Sequence, residues 1–79
     1  MKSKKSSQMS IQEKMFDSLI LKYRAEAAEA EATLLIYFSN PVGIGEHPQH
    51  LEEMDKMVEK LTNANDKLNT INQFLNENF

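Results

Sequence analysis

Apolar residues recur at spacings of three and four along most of this chain. Between residues 11 and 39 they form two stripes. Ile20, Tyr23, Ala27, Ala30, Leu34 and Tyr37 make the first, and Leu21, Ala25, Ala28, Ala32 and Leu35 make the second. That spacing places each set on one face of an α-helix. At about 100° per residue the two stripes are centred roughly 150° apart. Lys22, Glu26, Glu29 and Thr33 fill one gap between them, and Arg24 and Glu31 fill the other. Further along, Leu51, Met54, Met57, Leu61, Ala64, Leu68, Ile71 and Leu75 form a single stripe, widened by Val58 and Phe74 and extended by Phe79.

The pattern breaks once, at residues 40–48, which read Asn-Pro-Val-Gly-Ile-Gly-Glu-His-Pro and hold both glycines and both prolines of the chain. Pro41 lacks the N–H that would continue a helix and disfavours helical geometry at Asn40. Pro48 suits the first position of a new helix, where its missing N–H costs nothing. At the other end of the first helix, Ser10 and Glu13 have the spacing of a capping box. Residues 1–9 show no periodicity and read as a basic, disordered tail. The expected organisation is therefore a tail over 1–9 and a helical hairpin over 10–79, with a helix at 11–39, a hinge at 40–47 and a helix at 48–77.

Helices of about 43 and 45 Å joined by one short loop predict an all-α, antiparallel two-helix hairpin. A helix with two nearly opposed apolar stripes cannot bury both against one partner. The first stripe is expected to face the second helix. The second, Leu21, Ala25, Ala28, Ala32 and Leu35, is expected to face another copy of the chain, giving a homo-oligomeric helical bundle. Asn65, Asn69, Asn72 and Asn76 share a face beside the second helix's stripe. They read either as a solvated flank or as a hydrogen-bonding strip between subunits.

Composition narrows the function classes. The chain has 79 residues and no cysteine, which excludes a disulfide framework and a thiolate metal site. Its net charge is −3; with Lys2, Lys4 and Lys5 set aside, the remainder carries −6. A body of that sign does not suit duplex nucleic acid. The longest apolar run, residues 34–38, is far too short to span a membrane. The lysines near the start are followed by Ser6, Ser7, Gln8 and Ser10 where a secretory segment needs apolar residues, so a soluble cytoplasmic protein is expected.

The chemistry-bearing positions are few. No catalytic triad, paired acid–base set or metal motif is visible, so no enzyme, metal or cofactor is expected. His47 and His50 stand three apart beside Glu46 but lack a third ligand at a familiar distance. Gly43, Gly45 and His47 precede a helix start, where free backbone N–H groups favour an anion, although glycines at a hairpin turn need no ligand. Lys22, Tyr23 and Arg24 place an aromatic ring between two cations, a combination suited to a base and its phosphate. On one helix those three point apart, so they converge only across a subunit interface. The alternative puts Tyr23 in the core and both cations in solvent.

The hinge sequence Asn-Pro-Val-Gly-Ile-Gly-Glu-His-Pro, followed by an acidic helix, resembles small uncharacterised helical-hairpin proteins encoded by large tailed bacteriophages. The resemblance covers the end of the first helix, the hinge and the second helix, and it brings no functional residues with it. It implies a viral protein acting in the cytoplasm of a bacterial host. For a chain of this size and class, the expected role is a non-enzymatic accessory protein that works by binding. One form is an anti-defence factor that sequesters cyclic-nucleotide immune signals. The alternatives are an inhibitor or adaptor of a host protein and a phage structural or assembly component.

Overall fold

The computed structural model describes residues 10–39 and 49–78. Helix α1 spans Ile11–Ser39 and helix α2 spans Gln49–Asn78, and among the described residues there is no strand. The two helices pack along their lengths in one layer, within an envelope of 55 × 24 × 16 Å. The hinge, the tail and Phe79 lie outside the described residues, as do the expectations placed on them.

Local chemistry fixes the visible ends. The Ser10 N–H donates to Glu13 Oε1 at 3.0 Å, and the Glu13 N–H donates to Ser10 Oγ at 3.1 Å. This is the reciprocal capping box, which satisfies two N–H groups that the first turn leaves without helical partners. At the far end, α2 continues to Asn78, one residue past the expected stop. Asn78 Nδ2 donates there to the Phe74 carbonyl at 2.9 Å, occupying an acceptor in the last turn.

The inner stripe of α1 faces α2. Ala27, Ala30 and Leu34 are buried, and Ile20, Tyr23 and Tyr37 are half-buried. From α2, Met54 and Ala64 are buried, and Met57, Leu61, Leu68, Ile71 and Leu75 are half-buried. Contacts along the seam give its antiparallel register. Phe16 packs on Phe74 with ring centroids 6.2 Å apart, and Tyr37 packs on His50 at 5.7 Å. In that register Ala27 lies level with Ala64, and Ala30 with Leu61. Ala30 and Ala64 are 0% and 1% exposed. Small residues at mid-seam let the helix axes approach, while the aromatic rings fill the wider ends.

Two details differ from the sequence-based expectation. Leu51, expected to begin the inner stripe, is 59% exposed. The heptad phase set by Met54, Met57, Leu61 and Ala64 runs back to position 50, so His50 takes the inward place against Tyr37 and Leu51 falls one position outside the seam. Val58, expected to widen the stripe, is 48% exposed and borders the seam, while Phe74, 49% exposed, widens it by packing on Phe16.

Ala64→Leu should lower stability by about 1–3 kcal/mol, because Ala27 opposite leaves no space for the added atoms. Urea unfolding followed by circular dichroism measures it; an unchanged midpoint would contradict the close approach at this layer.

Candidate functional site

Tyr23 stands at the centre of the most varied groove on the hairpin. Its position on the inner stripe turns the ring towards α2, where it is half-buried. Lys67, on the flank of α2, places Nζ 5.4 Å from the centroid of that ring. The same ammonium lies 3.9 Å from Glu26 Oε1. Phe16 and Phe74 close one end of the groove, and Asp66, Thr70 and Ile71 complete its lining, around an open volume of about 420 Å³. Three rings, an ammonium, a hydroxyl and a carboxylate therefore converge where the sequence marked Tyr23 alone.

Lys22 and Arg24 do not join it. Lys22 Nζ pairs with Glu26 Oε2 at 3.3 Å, one turn along its own helix. It borders a separate, mostly apolar depression with Ile11, Lys14, Met15, Ser18 and Leu19. Arg24 is exposed on the opposite flank. Consecutive residues on a helix differ in direction by about 100°, so no single chain can bring the three together. Gly43, Gly45 and His47 lie outside the described residues.

Lys67, Phe16 and Phe74 are groove residues that the sequence pattern does not single out as such. Their signal was recoverable. Aligning the mid-seam alanines Ala27 and Ala64 brings Lys67 beside Tyr23 and Phe74 beside Phe16. Neither α2 nor α1 alone marks those positions as special.

The flank between the helices carries alternating charge. Lys60 Nζ donates a hydrogen bond to Glu29 Oε1 across the hairpin. Lys56 pairs with Glu53 at 3.7 Å. The hydrogen bond from Lys60, and then the attraction of its ammonium, hold the Glu29 carboxyl below its ordinary value of 4.5. Exposed pairs of this kind contribute little to stability and more to register.

Among the described residues no group of three His, Asp or Glu side chains is gathered to hold a metal. No described helix is long and apolar enough to cross a membrane. The outer stripe of α1 is exposed along its length, with Leu21 at 63% and Leu35 at 65%, and Ala25, Ala28 and Ala32 between them. No protein-family model matches this chain, and neither a curated protein nor a solved structure does.

A depressed carboxylate contributes stability above its unfolded pKa and loses that contribution as the pH falls through the folded value. The Glu29 contribution should therefore fade as the solution is acidified below the ordinary carboxylate range. In Lys60→Met the Glu29 carboxyl should titrate higher than in the native chain, because the hydrogen bond and the charge that lower it are gone. Carbon-detected NMR titration of both proteins checks this; identical curves would show that Lys60 does not hold the carboxylate.

Proposed function

We propose that this chain is a non-enzymatic phage accessory protein that self-assembles and acts by binding in the cytoplasm of a bacterial host. One observation carries the assembly reading. The inner stripe of α1 is covered by α2, while its outer stripe, no less regular, is left in solvent. Among the described residues nothing covers α1's outer side.

The binding reading rests on the groove around Tyr23. Aromatic faces stack on bases, and Lys67 supplies a cation for a phosphate once it leaves the tyrosine ring. This favours the anti-defence form of the proposal, in which the assembled protein sequesters a cyclic nucleotide. Lys22 and Arg24 would join such a ligand only from a second copy; the hinge residues Gly43, Gly45 and His47 are the alternative anion site.

A second reading is docking on a host protein. Leu35, Phe38, Leu51 and Val58 are all exposed, and the register brings the Leu51–Val58 flank of α2 beside Phe38. Apolar surface of this kind, rimmed by charge, suits a protein partner.

Native mass spectrometry of protein purified from cells should show a multiple of the chain mass. Ala28→Glu with Ala32→Glu should reduce it to one chain, since both changes place charge on the outer stripe without touching α2. A wild-type monomer would remove the assembly reading.

Calorimetry against a panel of cyclic mono-, di- and trinucleotides tests the ligand. At least one should bind, and Tyr23→Ala should weaken it by about tenfold or more. Silence across the panel would remove the sequestering role and leave the protein-docking one.

A further inference from the structure

We infer that the outer face of α1 pairs with the same face of a second copy in antiparallel orientation, about a two-fold axis passing between Ala25 and Ala28. The inference rests on the assembly reading above and specifies its geometry. Leu21 and Leu35 project from the ends of this face and are exposed, with Ser18, Ala25, Ala28 and Ala32 at the intervening stripe positions. Turning a second α1 about the proposed axis sets Leu21 over the copy's Ala32 and Leu35 over the copy's Ser18. Each large side chain then meets a small one, the arrangement that interdigitating helices need.

The flanks select this orientation. Arg24 and Glu31 are exposed on one flank of the stripe, and neither has an ion-pair partner among the described residues. They stand seven residues apart, on either side of the axis. The antiparallel turn brings Arg24 of each copy opposite Glu31 of the other, so both pairs form at once. On the other flank, Met15 and Ile36 are exposed apolar residues with no place in the hairpin's core. The same operation sets Met15 beside the copy's Ile36.

A parallel pair does none of this. There the flanking position across from Arg24 is Glu29, which Lys60 already engages, and Ile36 meets the charged Glu31. Two symmetric ion pairs at the rim set orientation and partner choice more than affinity. The apolar stripe supplies the driving force.

The absence of native cysteine makes disulfide trapping decisive. Leu21→Cys chains carrying an affinity tag are mixed with untagged Ala32→Cys chains, allowed to exchange, and oxidised. The two positions are about 16 Å apart along one helix. A disulfide needs Cα atoms within about 7 Å. The antiparallel pair predicts tagged–untagged crosslinks and few within either population. Crosslinks within each population would establish a parallel pair and overturn the inference.

Sedimentation of the same samples separates the two levels. A stable oligomer with no crosslink of either kind places the contact on another surface and overturns the geometry alone. A monomer overturns the assembly as well. As an independent check, Arg24→Glu and Glu31→Arg should each weaken association by about five- to tenfold, and the double variant should restore it. Equal, additive weakening would count against the pairing.

Discussion

The close approach of Ala27 and Ala30 to α2 sets the disposition of every other residue in the hairpin. With Ala64 opposite, the axes can draw together at mid-seam, and that approach fixes both rotation and register. Rotation decides which stripe of α1 is covered. Register decides that Lys67 meets Tyr23, that Lys60 meets Glu29, and that the aromatic pairs close the two ends. A larger residue at any of the three alanines would spread the axes and loosen all of these contacts together.

Once α2 has covered one stripe, the other is a consequence of counting faces. Two helices in one layer bury one face of each. α1 carries two apolar faces, and α2 carries one bordered by Asn65, Asn69, Asn72 and Asn76, all of them exposed. The asymmetry leaves α1 with an exposed apolar face and α2 with an exposed polar one. It also divides the charges into two kinds. Glu26, Glu29, Lys60 and Lys67 are engaged across the hairpin. Arg24 and Glu31 are exposed and pair with none of the described residues.

Much of this could be read from the residues alone, because helical periodicity and capping are local properties. The stripe of Ile20, Tyr23, Ala27, Ala30, Leu34 and Tyr37 faces inward, and Ser10 caps through Glu13, as their spacing dictates. Reading failed where phase had to be fixed at a helix start. Leu51 fits a spacing of three before Met54, yet the heptad continues through His50, and an imidazole against Tyr37 outcompetes a leucine for that place. The groove was only partly legible. Tyr23 was visible as an aromatic between cations, but the cation that reaches it comes from α2, and an inter-helix partner depends on a register that no single segment carries. Lys22 was misleading for the opposite reason, since its partner Glu26 lies one turn away on the same helix.

The central claim is that a folded chain keeps an apolar face that only association can bury. Association that selects the folded state makes stability depend on concentration. The most direct test is the thermal unfolding midpoint, followed by circular dichroism over a roughly hundredfold range of protein concentration. The account predicts a midpoint that rises steadily with concentration. A midpoint that stays constant, with a monomeric mass throughout, would contradict it.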